Sequence, residues 1–250
     1  IRDVVLGVAL GIAMTVGANW LASGKIFLTP RTTPVLTLAV LIQKGVVQEY
    51  LAETCVDPDA RKSILCPYRD KLDYTANEFL WHNQMFNDLG GWPAMMDEAP
   101  WMLDEIIARH PMEFVMTAAE LTLQQIVTFR TGEGFRTMVG FLDREIRIYY
   151  PRENAAFLAA RQQSYPEVAR SPMGTINSVQ LPVMYASLPL MALVLVFAWR
   201  RRDRWSLTVG GLVTLAYLGN AFICGAISNP ADRYGNRIVW LVTLTALALL

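Results

Sequence analysis

Residues 179–204, VQLPVMYASLPLMALVLVFAWRRRDR, decide the fold. From Val179 to Trp199 the 21 residues carry no ionised side chain, about the length a helix needs to cross a ~30 Å hydrocarbon core. Arg200, Arg201, Arg202 and Arg204 follow at once, and such a cluster marks the cytoplasmic end of a span. Everything between an earlier span and this one then lies on the opposite face. Pro182 and Pro189 each remove a backbone donor and are expected to bend the helix.

Working outward, Val4 to Ala22 reads as a first span, with Gly7 and Gly11 as a G-x-x-x-G pair that permits close helix contact in lipid. A secretory signal peptide with Arg2 as its charged region is the competing reading of this stretch. On the other side of the arginines, Ser206 to Ile227 returns outward. Gly210, Gly211, Gly219 and Asn220 lie within it, and a mid-span asparagine usually faces other helices. Ile238 to Leu250 begins another apolar segment, so the chain is expected to be part of a longer polytopic protein.

The expected fold is all-α. Residues 1–22 are a transmembrane helix, 23–178 a mainly helical extracytoplasmic domain, 179–199 a span and 200–205 a cytoplasmic basic loop. Residues 206–227 are a span, 228–237 an outer loop and 238–250 the start of a further span. The 250 residues are 53% hydrophobic and 18% charged, too apolar for an ordinary soluble domain and too polar for spans alone, which fits this division. Net charge is zero, and no RNP, zinc-finger or helix-turn-helix pattern is present, so nucleic acid is not an expected partner.

Within 23–178, Thr33-Pro34 is a helix start, with threonine able to cap and proline tolerated in the first turn, and the helix is expected to run to about Glu53. Cys55 and Cys66 bracket the loop VDPDARKSIL. In an oxidising space such as the bacterial periplasm they can pair, and a reduced structural pair is the alternative. Cys224, inside a span, reads as a small buried hydrophobe. Thr75-Ala76-Asn77-Glu78 is a capping-box pattern opening a short helix, and Gly90-Gly91 breaks the chain before a helix from Pro93 to about Arg109.

Asp97, Glu98, Asp104 and Glu105 on that helix are the residue type that does acid–base work, but nothing basic or metal-binding lies beside them in sequence, so they read as a solvated face. Met112 to about Phe129 forms another helix. Phe114, Ala118, Leu121 and Gln125 make one stripe, with Val115, Ala119, Thr122, Ile126 and Phe129 beside it, a broad face expected to pack inside the domain. Glu113, Glu120, Gln124 and Gln125 argue against a span here. His82 and His110 lack thiol or carboxylate companions at ligand spacing, so no metal and no cofactor is expected.

From Arg130 to Arg161 basic and aromatic residues alternate: Arg130, Phe135, Arg136, Phe141, Arg144, Arg147, Tyr149, Tyr150, Arg152, Phe157 and Arg161. Both types suit a lipid headgroup layer, and arginine holds phosphate bidentately. A solvated face is the alternative, since Asp143, Glu145 and Glu153 are interspersed. Ser171-Pro172-Met173-Gly174 reads as a connector back to the membrane.

The outer loop sets Asp232, Arg233, Tyr234 and Arg237 at a membrane boundary. The segment DRYGNRIVWL, residues 232–241, resembles the Arg-Tyr segment at an outer membrane boundary in polytopic lipid-phosphate-sugar-dependent glycosyltransferases. CPYRDKL and EFLW, at 66–72 and 78–81, also give the chain the look of uncharacterised bacterial multi-pass inner-membrane proteins with a periplasmic domain. The first resemblance implies a cell-envelope transferase in which Arg233 and Arg237 hold the phosphate of a polyprenyl-phosphate ligand and Tyr234 positions it. It assigns no catalytic residue here: those enzymes carry an acidic one in a first outer loop near their N-terminus, which this stretch of chain is not expected to include, and neither Glu49 nor Glu53 is put in its place. An ion pair within the loop, with Asp232 neutralising an arginine, is the structural alternative. The other functional class is a non-catalytic subunit whose outer helical domain docks a membrane-protein partner; Trp92, Trp101, Met95 and Met96 on one open patch would favour it, whereas an outer cavity lined by Arg233 and Arg237 would favour the enzyme.

Overall fold

In the computed structural model, which describes residues 2–27, 31–134, 137–164 and 166–250, the chain is helical, with no strand among the described residues. It divides into two units, Ile1–Phe114 and Val115–Leu250.

The first unit opens with α1, Arg2–Ser23, whose Leu10, Met14 and Leu21 are exposed. The described apolar run of α1, Ala9–Ala22, is shorter than a bilayer crossing. Helices α2, Thr33–Gln43, and α3, Val46–Thr54, replace the single helix expected from Thr33 to Glu53 and meet at 91°. Gly45 makes the break: at φ +81° it occupies the left-handed region, where a residue without Cβ is at no disadvantage. Its N–H donates to the Ile42 carbonyl, and the Gln48 side-chain amide reaches that same carbonyl at 2.9 Å. Proline stands in the first turn of α2, but no threonine side chain caps it.

Helix α2 is apolar nearly all round and, from Val35 to Ile42, is buried at every position except the half-buried Leu36, the signature of a core helix. Although the bent pair is apolar enough to cross a membrane, its burial makes it the centre of this unit. Around it lie α4, Gln84–Asp88, and α5, Gly91–Arg109. The α5 seam is Met95, Ala99, Met102 and Ile106, all fully buried at helical spacing. The capping box forms as read: the Thr75 N–H donates to Glu78 at 2.9 Å, and the Glu78 N–H donates to the Thr75 hydroxyl at 3.2 Å.

Cys55 and Cys66 are joined. Lys62, inside the closed loop, donates to the Thr54 and Cys55 carbonyls at 3.0 and 3.1 Å and to that of Asp57, so a cation meets the exposed carbonyl end of α3. Glu98 is buried rather than solvated, accepting from the Ile64 N–H at 3.0 Å and from the Trp101 indole at 3.1 Å.

Helix α6, Pro111–Ile126, contains the division between the units. The two expected stripes are covered toward their C-terminal ends: Leu121, Gln125 and Phe129 are buried and Ala118, Thr122 and Ile126 half-buried, whereas Val115 and Ala119 are exposed, as are Met116, Leu123 and Val127 beside them. In the second unit follow α7, Val139–Tyr149, α8, Asn154–Ala159, and α9, Arg161–Ser164. Phe135 and Arg136 lie outside the described residues, as do the side chains of His82, Phe141 and Ser171.

Helix α10, Pro166–Arg201, is continuous, so the expected connector at Ser171 to Gly174 is helix. It packs against α11, Arg204–Phe222, which runs on as a π-helical turn, Ile223–Ser228, and against α13, Val239–Ala248, after the short α12, Asp232–Asn236. Phe129, Met184, Met191, Tyr217, Val239, Val242 and Ala246 form the core of this bundle. Pro172–Arg201 and Arg204–Ser228 are each long and apolar enough to cross a membrane. Between them Asp203 caps α11, accepting from the N–H groups of Trp205 and Ser206 and from the Ser206 hydroxyl. Those bonds, the Ser206 hydroxyl first, hold its carboxyl below the usual range.

Removing the disulfide by Cys55→Ser with Cys66→Ser is expected to lower the stability of the first unit by about 3 kcal/mol, the loop-closure entropy of a ring this size. Urea unfolding of the variant against wild type measures it.

Candidate functional site

The loop at residues 229–237 of the second unit folds onto the end of α6 and the segment that follows it, and the contacts begin with one glutamine. Gln125, 1% exposed, accepts from the Ala231 N–H at 2.8 Å and donates to the Ala231 carbonyl at 3.2 Å and the Thr128 carbonyl at 3.0 Å. A primary amide can pair both polar groups of one residue in this way.

Two glycines let the backbones approach. A Cβ on Gly235 would stand 2.1 Å from the Thr128 oxygen, and one on Gly225 would stand 2.5 Å from the Leu121 oxygen. Around them, Thr131 and Asn177 exchange two hydrogen bonds of 2.9 Å, Asn236 donates to the Thr131 hydroxyl at 3.1 Å, and Gln180 donates to Asn236 at 2.9 Å. Asn220, the mid-span asparagine, donates to the Tyr234 carbonyl at 3.3 Å. From below, the Tyr217 and Tyr185 hydroxyls donate to the Ile126 and Val127 carbonyls at 2.6 and 3.0 Å.

The charged residues of the loop take their places in this frame. Asp232 accepts from the Arg130 N–H at 2.6 Å and has no ion pair with either arginine among the described residues. Arg233 is held by Glu133, which accepts from its N–H at 2.7 Å and from Nη1 at 2.6 Å. The Tyr234 hydroxyl lies 3.3 Å from Arg233 Nη2, and the guanidinium stands 4.8 Å over the tyrosine ring. Burial pulls the Arg233 pKa down, but the bond to Tyr234 and the Glu133 carboxylate outweigh it and raise the value. Arg237 is exposed, with no hydrogen bond or ion pair to its guanidinium among the described residues. Its carbonyl accepts from the exposed Trp240 indole at 2.8 Å.

The structure thus joins Arg233 to Tyr234, uses Asp232 as a backbone acceptor and leaves Arg237 apart. Glu133 is the residue the sequence reading missed. It stands 100 positions from Arg233, within a stretch read for its arginines and aromatics. Elsewhere, Met95 is fully buried, Trp92 stacks on Trp81 and Phe86, and Arg61 covers the Trp101 ring at 4.0 Å, so these residues do not form one open patch. His110 Nε2 lies 3.6 Å from Glu53, and no group of three metal-ligating side chains occurs among the described residues. No protein-family model, no curated protein and no solved structure matches the chain.

Gly235→Ala is expected to cost about 3 kcal/mol, because the added methyl meets backbone that cannot yield without breaking the Gln125 contacts. Gln125→Leu, which leaves the Thr128 carbonyl and the Ala231 N–H without their partner, should destabilise by about 2–4 kcal/mol. Thermal unfolding of the detergent-solubilised variants, with the bundle-surface variant Leu215→Ala as reference, measures both.

Proposed function

We propose that the chain is part of a multi-pass bacterial inner-membrane protein, with residues 23–178 on the periplasmic side, that serves as a non-catalytic subunit of a membrane complex. The observation that carries the functional half is the Glu133–Arg233 pair. Arginine grips phosphate with a parallel pair of donors, and Arg233 already turns Nη1 to Glu133 and Nη2 to Tyr234, while its backbone N–H also goes to Glu133.

The membrane half rests on the two apolar helices and on what stands at their joined ends. Trp199 and Trp205 are 70% and 72% exposed beside Arg200 to Arg204, the combination that anchors a cytoplasmic boundary. The disulfide in the preceding unit fits an oxidising space.

A second reading, a transferase acting on a lipid-linked sugar, is favoured by one observation. Arg237 is exposed beside Trp240, at the membrane boundary this reading requires, and is available to a polyprenyl phosphate.

Titrating the purified protein in detergent with a polyprenyl phosphate separates the two. The non-catalytic reading predicts no saturable binding, and the same response from wild type, Arg237→Ala and Glu133→Gln. Saturable binding that Arg237→Ala weakens tenfold or more in folded protein, and that Glu133→Gln strengthens by releasing Arg233, would establish the transferase site instead.

A further inference from the structure

We propose that residues 121–131, within the otherwise periplasmic stretch 23–178, form a re-entrant insertion. On this account α6 enters the leaflet opposite the arginine cluster, the chain turns about 10 Å below that leaflet's surface, and it leaves again at Thr131, with Leu123 and Val127 against lipid acyl chains. The proposal rests on the membrane reading above.

The two span helices serve as rulers, measured from Trp199 and Trp205 at about 1.5 Å per residue. Gly225, which the Leu121 carbonyl touches, is 20 residues from Trp205, or about 30 Å. Tyr217, bonded to the Ile126 carbonyl, is 12 residues from Trp205, or about 18 Å. Tyr185, bonded to the Val127 carbonyl, is 14 residues from Trp199, or about 21 Å. Asn177, bonded to Thr131, is 22 residues from Trp199, or about 33 Å. A hydrocarbon core about 30 Å thick therefore has Leu121 and Thr131 at its far surface and residues 126–127 about 10 Å within it.

Composition and hydrogen bonding agree with that path. The nine residues LTLQQIVTF, 121–129, carry no ionised side chain and are bracketed by Glu120 and Arg130. Irregular backbone at membrane depth is tolerated only where protein satisfies it. Here Tyr217, Tyr185 and Gln125 supply donors to three successive carbonyls, those of Ile126, Val127 and Thr128. Phe129, at the turn, is fully buried in the bundle core with its ring 4.8 Å from that of Tyr185.

The outward side supplies the lipid contact. Val115, Met116, Ala119, Leu123 and Val127 recur at helical spacing as one exposed apolar arc with no charged member, and Glu120 and Gln124 lie to one side of it. Phe222 at the end of α11 and Ile223 in the π-helical turn, close in sequence to the Gly225 contact, are exposed apolar side chains as well. Acyl chains cover the arc and these side chains alike.

The test uses the full chain with Cys224→Ala, so that an introduced cysteine is the one free thiol, reconstituted in vesicles of phosphatidylethanolamine and phosphatidylglycerol. Spin labels are placed at Leu123→Cys, Val127→Cys and Met116→Cys, with Leu215→Cys on the exposed side of α11 and Arg144→Cys as references. Collision with oxygen reports lipid, and collision with a water-soluble nickel chelate reports water. Leu123 and Val127 are expected to match Leu215, with oxygen contact several-fold favoured, and Met116 to fall between them and Arg144. Three results would overturn the proposal. Nickel contact at Leu123 and Val127 equal to that at Arg144, with Leu215 still in lipid, would place the arc in water. Low contact with both reagents would mean that protein, a partner or a second copy, covers it. Water contact at Leu215 itself would remove the membrane reading on which the proposal stands.

Discussion

A backbone that leaves its helix inside an apolar bundle must have its carbonyls and N–H groups met by side chains, and that requirement governs the second unit. Beyond Leu121 the chain turns among Met184, Tyr217 and Val239 with Phe129 at the centre, where an unpaired polar group costs several kcal/mol. Gln125 and the two tyrosines answer it. Because Gln125 spends its remaining capacity on Ala231, the same side chain that completes this turn also fixes the outer loop. The close approaches at Gly225 and Gly235 follow from the need to bring the two segments within reach.

The charges of the loop are arranged around that frame. Asp232 and Glu133 both accept backbone N–H groups of the opposite segment, so each segment contributes one carboxylate to the other. Arg233 then balances Glu133. Such reciprocal pairing makes a rigid structural joint. It explains why three of the four residues read as a ligand site, Asp232, Arg233 and Tyr234, are turned to internal use, while Arg237, one turn later, is not.

Much of the helical layout was legible in the residues. The apolar runs around Arg200 to Arg204 announce α10 and α11, the Thr75–Glu78 spacing announces its capping box, and Cys55 and Cys66 announce their pairing once a topology is assumed. Local signals reached no further. A single glycine in a helical pattern does not reveal that Gly45 will turn the chain through 91°, where the Ile42 carbonyl is met by the Gly45 N–H and the Gln48 side chain together. Two apolar stripes on α6 were visible, but how far along them the bundle's cover reaches depends on Gly225 and Ala231, more than 100 residues away. The same separation hid Glu133 behind its arginine-rich neighbours.

The central claim is that the two segments hold each other through side chains that accept backbone N–H groups. Three amides carry it, Ala231 to Gln125, Arg130 to Asp232 and Arg233 to Glu133, and a fourth, that of Thr131, is held beside them by Asn177 of α10. Hydrogen exchange of the membrane-reconstituted protein, resolved to residues 125–133 and 229–236, tests them together. The account predicts that all four are protected by on the order of a hundredfold or more, although none belongs to a helical hydrogen-bond ladder. Exchange of these amides at the rate of an unprotected loop would contradict it.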